Sequence, residues 1–377
     1  MCDYVCVQLI KMTKKKNVET YESLAEQTLG GAMYYIICLF CFLSTFGAMM
    51  GYSEIIHSSN IALLGQFIKN DPEKLKWASL GVTIGLFFVF VMPYAYWKDL
   101  SSLSWMSVFS LVTFGVIAVI ITVSGALVEN PSSNYKPLAT KGIISAFGTL
   151  SFAFVCTDSI FPVYLGLRDR TQLRWNKVMH TTVACLGLLY GVFASICYFL
   201  IPNLANYVLN SPSISGKIEV NVAKLLLNVT LLLTFLTKIH VTRTYLYSMI
   251  EKSLGPLSGI SKKSFYILHM GSTSATVVVS ITLGILTGDL MFIVSLTGLL
   301  TSTAIGYVIP VVILFKIKTF KKIWNDFKEA FTGNLKLIKR LKNVVNFLFP
   351  ILIFVFGVVG FCVGVPLTII GYIDGLQ

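Results

Sequence analysis

Charged residues are scarce in this chain of 377 residues, of which only 12% are Asp, Glu, Lys or Arg. A soluble globular domain carries about twice that fraction. Hydrophobic residues make up 55% of the chain and stand in long blocks, which a large soluble core does not require. The composition therefore excludes an ordinary soluble protein and indicates a membrane protein.

Short segments that alternate between polar and apolar residues, as membrane barrel strands do, are also missing. A membrane-spanning helix needs about 20 mostly apolar residues. The sequence contains nine such blocks, at 32–66, 77–97, 104–127, 142–165, 179–202, 219–249, 264–286, 290–316 and 344–373. We therefore predict an all-α polytopic membrane protein with about nine membrane helices.

Negative charge is the scarcer sign, and the net charge is +13. Such a value could indicate nucleic-acid binding, but the positions of the charges favour another explanation. When the loops are assigned alternately to two sides of the membrane, 21 Lys and Arg residues fall on the side of the N-terminus and six on the other. Positive charge marks the cytosolic side, so we expect a cytosolic N-terminus and no nucleic-acid partner.

Groups of residues typical of enzymes do not recur within the apolar blocks: there is no His cluster, acid pair or Ser/His/Asp set. We predict that the protein is not an enzyme and has no cofactor. The Cys38/Cys41 pair is expected to fill space between helices. The loop 317–343 repeats aromatic residues at helical spacing among lysines, which predicts an amphipathic helix on the anionic cytosolic leaflet.

The stretch 150–182 is the most unusual in the chain. An apolar run is interrupted by Cys156, Thr157, Asp158 and Ser159, Pro162 follows shortly after, and a basic segment comes next. This composition is typical of a broken membrane helix whose released backbone groups hold a ligand.

The block 219–249 contains three basic residues. Lys224 and Arg243 stand near its ends, where each could reach water by extending its side chain. Lys238 lies too deep for that, and a charge at this depth needs an interior cavity or a partner. Asp158 is the candidate partner. On the block 32–66, Glu54 and His57 could form an interfacial rim or line the outer mouth of a permeation path.

Residues 1–31 begin with an apolar segment too short to cross a bilayer, closed by Lys14, Lys15 and Lys16. Thr20 to Gly30 then has a helix-capping residue, helical apolar spacing and a glycine stop. We interpret these parts as the end of a membrane helix and a short cytosolic amphipathic helix, and we expect that the sequence begins inside a larger protein.

Three phrases of the sequence resemble the sodium-coupled neutral amino acid transporters of the amino acid/auxin permease family. They are SFAFVC at 151–156 with PVY at 162–164 and a basic loop, the cytosolic segment 20–31, and LTF at 233–235 with VTR at 241–243. The resemblance implies an eleven-helix, LeuT-like inverted-repeat fold. It also implies substrate binding on the unwound segment, here Phe154, Cys156, Thr157 and Asp158, and sodium binding by Thr234.

The sequence departs from that family in ways that affect function. The first helix and most of the second are missing, Leu236 replaces a family proline, and Lys238 stands where relatives can carry an acid. An ammonium beside a sodium site could replace the ion. We therefore expect secondary transport of small neutral amino acids, coupled to a cation or proton and possible without sodium. The alternative is a non-transporting nutrient sensor, a partner subunit or an inactive fragment.

The resulting division of the chain has five parts. They are a residual helix end and cytosolic segment at 1–31, an incomplete first repeat of three helices at 32–127, a five-helix repeat at 142–316, the basic loop 317–343 and a last membrane helix at 344–373. We expect a multi-pass protein of either the plasma membrane or a vacuolar or lysosomal membrane.

Overall fold

The computed structural model describes residues 1–68, 71–96, 105–128, 142–202, 204–255, 261–318 and 337–376. Regular structure in these ranges is entirely helical. The helices are α1 (Cys2–Lys16), α2 (Tyr21–Leu29), α3 (Gly31–Leu64), α4 (Pro72–Leu86), α5 (Met92–Ala95), α6 (Trp105–Ala126), α7 (Ile143–Phe154), α8 (Ile160–Leu165), α9 (Gln172–Leu200), α10 (Ile218–Leu254), α11 (Lys262–Thr287), α12 (Leu290–Thr297), α13 (Ile309–Lys318), α14 (Leu337–Val359) and α15 (Val365–Leu376).

Several neighbouring helices continue into one another through single π-helical turns. Such turns occur at Phe87–Val91, Gly298–Ser302, Ala304–Val308 and Gly360–Gly364. Within the described ranges, eight helical stretches are long and apolar enough to cross a membrane. Each corresponds to a predicted block, and the ninth block, 142–165, is divided between α7 and α8. The prediction of an all-α polytopic membrane protein is confirmed.

Large apolar side chains lie on the outside of many of these helices. On α6, Val108, Leu111, Val112 and Val119 are all more than 60% exposed. An exposed apolar surface of this kind favours contact with lipid. The helical backbone satisfies its own hydrogen-bonding groups, as a segment inside a membrane requires. The exposed faces therefore agree with the membrane assignment from composition.

The chain divides into two compact units, each assembled from separate segments. The first unit contains 1–44, 142–185 and 294–377, and the second contains 45–141 and 186–293. The second unit has a large apolar core, in which the rings of Phe87 and Phe235 meet edge to face with centroids 4.9 Å apart.

The N-terminal segment folds as its local sequence predicts. Helix α1 ends at Lys16, and the next residue, Asn17, adopts the left-handed conformation after three lysines. The Thr20 hydroxyl then accepts a hydrogen bond from the Ser23 amide at the start of α2, as a capping residue does. Gly30 follows the helix with φ of 112°, a conformation that glycine adopts without steric cost.

Small residues allow two helical stretches of the first unit to approach closely. A Cβ atom added at Gly298 would overlap the carbonyl oxygen of Gly148, and one at Gly148 would lie 2.5 Å from the Ser295 carbonyl oxygen. The Ser145 and Ser295 hydroxyls are 2.6 Å apart across the same contact. Small residues at these positions therefore permit the close approach of the two stretches.

The predicted block 344–373 begins inside α14, which starts earlier, at Leu337. Most of the predicted amphipathic loop, 319–336, lies outside the described residues. Residues 129–141, which follow α6, also lie outside the described residues.

Candidate functional site

The helix predicted to break does so at the expected place. Helix α7 ends at Phe154, Val155 is extended with φ −78° and ψ 121°, and α8 begins at Ile160. Small polar side chains at 157–159 can compete for backbone hydrogen bonds. Pro162 lies in the first turn of α8, where its missing N–H costs little.

Backbone groups around the break find local partners. The Cys156 carbonyl accepts hydrogen bonds from the amides of both Ser159 and Ile160, at 3.0 and 3.1 Å. The Phe154 carbonyl accepts a hydrogen bond from the Cys2 thiol at 2.8 Å. A side chain of α1 therefore satisfies a carbonyl at the end of α7.

The predicted substrate-binding residues occupy this break with different degrees of burial. Thr157 is 1% exposed and Asp158 is 5% exposed, whereas Phe154 and Cys156 are half-buried. The Thr157 hydroxyl has no hydrogen-bond partner among the described residues. Burying a polar group without a hydrogen-bond partner costs free energy. A ligand that forms a hydrogen bond with this hydroxyl would remove that cost.

Two further features of the first unit shape the break. Val155 packs against Gly306, where an added Cβ would lie 2.7 Å from the valine methyl carbon. The Tyr21 hydroxyl donates to the Ile305 carbonyl at 3.0 Å, and its ring stacks on Phe161 of α8. Both Ile305 and Gly306 lie in the π-helical turn Ala304–Val308. The sequence did not predict that this π-helical turn lies beside the break, because π-helical turns have no simple sequence pattern.

The predicted coupling residues lie on α10, in the second unit. Thr234 and Lys238 are half-buried and one helical turn apart. The Thr234 hydroxyl donates to the Thr230 carbonyl of its own helix at 2.8 Å. One hydroxyl oxygen beside a lysine is not by itself a set of ligands suited to sodium.

Asp158 and Lys238 belong to different units. Their pairing, the sodium role of Thr234 and the substrate role of the break stay predictions.

Two other cations of α10, Lys224 and Arg243, correct the sequence analysis. Lys224 was expected to extend to water, but it is fully buried, and its ammonium donates to the Ser215 hydroxyl at 2.9 Å. A short segment before α10 supplies this partner. The prediction for Lys224 failed because the sequence pattern of α10 does not show how the segment before this helix folds.

Arg243 was also expected to reach water, and it is 6% exposed. Its guanidinium donates to the Ala95 carbonyl at 3.1 Å and lies 3.1 Å from His240 Nδ1 and 3.3 Å from His269 Nε2. His269 Nε2 is also 3.0 Å from the Tyr96 carbonyl. The end of α5 and a histidine of α11 thus enclose the Arg243 guanidinium. The arginine side chain is long enough to reach water, but these partners lie inside the protein.

Polar residues of α3 form a largely buried group. Glu54 is 6% exposed, and one of its carboxyl oxygens has no hydrogen-bond partner among the described residues. Farther along α3, Asn60 donates to Thr83 at 2.9 Å and accepts from Asn228 at 3.1 Å, and His57 lies 3.3 Å from Thr83. Glu54 is therefore buried within the protein, and both the rim and the path interpretations stay predictions.

Comparison with known proteins identifies the family. The family described as "Transmembrane amino acid transporter protein" matches residues 1–369 of this chain. The chain belongs to this family. It is a multi-pass membrane protein of a class that transports amino acids across a membrane, and it is not an enzyme.

Named relatives are distant but cover most of the chain. The chain is 23% identical to "Putative sodium-coupled neutral amino acid transporter 11" of Rattus norvegicus over 327 residues, 86% of this chain and 70% of that protein. The Homo sapiens protein of the same name is 25% identical over 332 residues, covering 86% and 78%. "Vacuolar amino acid transporter 2" of Saccharomyces cerevisiae is 22% identical over 324 residues, covering 81% and 66%.

Proposed function

We propose that this protein is a secondary transporter of small neutral amino acids and that the break between α7 and α8 binds the substrate. The observation that carries the proposal is the pair Thr157 and Asp158, which is buried beside non-helical backbone. Discontinuous helices provide such sites in transporters because their ends release backbone hydrogen-bonding groups.

The chemistry of the break suits a zwitterion. The unpartnered Thr157 hydroxyl can donate to an α-carboxylate, and the Asp158 carboxylate can accept a hydrogen bond from an α-ammonium. Phe154 and Cys156 are half-buried and offer apolar contacts to the substrate side chain. Apolar contacts favour a neutral side chain over a charged one.

Coupling is the second part of the proposal. The Lys238 ammonium supplies a positive charge one turn from Thr234, and such a charge can do the electrostatic work of a bound cation. We therefore propose transport without sodium, either driven by protons through Lys238 or facilitative. The relatives' names include both a sodium-coupled neutral amino acid transporter and a vacuolar amino acid transporter, so they support the substrate class and leave the coupling ion and the membrane open.

Uptake of labelled alanine or glutamine by the purified protein in liposomes tests both parts. We expect uptake in sodium-free buffer, a strong decrease in Thr157→Val and Asp158→Asn, and altered pH dependence in Lys238→Ala. Thr234→Val should change little. Lys262→Ala, at an exposed residue, is the matched control for a lost lysine.

Two results would contradict these proposals in different ways. Sodium-stimulated uptake that Lys238→Ala leaves unchanged would rule out the coupling proposal and leave the substrate site intact. No uptake at any pH or ion condition, from a protein that remains folded, would favour a non-transporting sensor or partner subunit.

A further inference from the structure

Three cysteines from distant parts of the sequence meet in the first unit. The Cys6 sulfur lies 3.8 Å from the Cys2 sulfur and 3.7 Å from the Cys156 sulfur. All three sulfurs lie within 4.8 Å of one another. Cys2 and Cys6 are buried, and Cys156 is half-buried. This is the only group of three or more Cys, His, Asp or Glu residues in the described ranges with ligand atoms so close together.

The secondary structure explains how the group forms. Cys2 and Cys6 are four residues apart on α1, so their side chains project from one face of the helix. Cys156 is the second residue of the break, where the chain has left the helical path of α7. The indole of Trp175 donates to the Cys6 carbonyl at 3.4 Å, and His180 Nδ1 lies 2.7 Å from an Asp3 carboxyl oxygen. These contacts attach α1 to the start of α9.

The sulfur spacing matches that required by a thiophilic divalent ion. Zinc binds thiolate at about 2.3 Å in tetrahedral geometry, which places two of its sulfur ligands about 3.8 Å apart. Two of the three sulfur pairs already have this spacing. We propose that Cys2, Cys6 and Cys156 form a binding site for a thiophilic divalent metal ion of the zinc class, with the fourth ligand position open to water or another small ligand.

Binding would change the hydrogen bonding of the break. Zinc binds thiolates, so coordination releases protons from the three thiols. The Cys2 thiol would then no longer donate to the Phe154 carbonyl, and this carbonyl would become available to another donor. Three thiolates and a divalent ion carry a net charge of −1, which disfavours binding where water cannot reach. The half-buried position of Cys156 reduces that cost.

The ion would also connect α1 to the break. Because Cys156 belongs to the proposed substrate segment, metal binding should change uptake; this last consequence rests on the proposed function, whereas the metal site does not. Metal binding to these three sulfurs is the decisive evidence for the site.

Cadmium titration of the purified, fully reduced and metal-free protein tests the site directly. Cd²⁺ prefers the same thiolate ligands, and its thiolate complexes have an ultraviolet charge-transfer band. We expect a band that saturates at one ion per chain, competition by Zn²⁺, and loss of the band in Cys6→Ser and in Cys156→Ala. The double variant Cys185→Ser/Cys362→Ser, at the two exposed cysteines, should retain the full band.

Thiol labelling provides the second readout and a control for folding. With Zn²⁺ bound, Cys2, Cys6 and Cys156 should be protected from alkylation, whereas Cys185 should react at an unchanged rate. Gel filtration and helical circular dichroism of each variant must match the parent protein. No saturable band in the parent protein, or a full band in Cys6→Ser, would overturn the metal site whether or not the protein transports amino acids.

Discussion

The α7–α8 segment and α10 both carry buried polar residues, and of these two only the α7–α8 segment breaks. The α7–α8 segment loses its helical path after Phe154, whereas α10 continues through 37 residues that include Lys224, Lys238 and Arg243. Charge alone therefore does not interrupt a membrane helix. The side chains of Lys and Arg are long enough to find partners away from their own backbone, as Lys224 does at Ser215.

The broken segment has the opposite chemistry. Thr157, Asp158 and Ser159 are short, so their polar atoms remain near the backbone and can replace its helical hydrogen bonds. Pro162 adds a residue that cannot donate to the preceding turn. In this protein the segment with three consecutive short polar residues and a nearby proline breaks, whereas α10 continues past its long cationic side chains.

Placing a proline in the unbroken helix should have the largest effect. Leu236→Pro removes a hydrogen bond within α10 at a buried position and should cost about 3 kcal/mol or more. Thermal unfolding in detergent measures the loss, and hydrogen exchange should become faster around residues 232–240. Pro162→Ala is the reverse change; the amides of 155–159 should stay fast, and slow exchange there would show that the proline alone causes the break.

Removing a cation from α10 tests whether its partners depend on it. Arg243→Met leaves the buried Ala95 carbonyl without its guanidinium donor and should lower the free energy of unfolding by about 1.5–3 kcal/mol. Arg170→Met, at an exposed arginine, should change it by less than about 0.5 kcal/mol. Equal effects of the two substitutions would contradict a specific role for the buried contacts.

A third substitution tests how neighbouring helices confine the broken segment. Gly298→Ala pushes a methyl group against the Gly148 carbonyl, and overpacking of this kind costs about 1–3 kcal/mol. Gly187→Ala adds the same methyl group where nothing lies within 4 Å, so it should be neutral or stabilise by up to about 1 kcal/mol. A melting temperature that falls equally in both variants would argue against the close contact.

The smallest effect should come from the contact of Tyr21 with the π-helical turn Ala304–Val308. Tyr21→Phe keeps the ring that stacks on Phe161 and removes the hydrogen bond to the Ile305 carbonyl. The expected cost is about 1 kcal/mol, together with altered uptake if this π-helical turn positions the break. Tyr266→Phe, at an exposed tyrosine of α11, is the control and should change neither quantity.

Local sequence signals predicted a structural element well where all the residues that produce it lie in one stretch of the chain. The Thr20 cap, the Gly30 stop and the break after Phe154 depend on nearby residues, and all three occur as expected. The partners of Arg243 could not be predicted in the same way, because Ala95 and His269 lie on other helices. The sulfur cluster joins residues 150 positions apart and has no local signature.

Composition and apolar block length by themselves determined the class of this protein, because a bilayer imposes one length and one polarity on every helix that crosses it. Only the tertiary structure decided which polar side chains are buried and what they contact. Burial depends on which helices pack together, so it turned Lys224 and Arg243 from surface charges into interior ones and brought Cys2, Cys6 and Cys156 to one place.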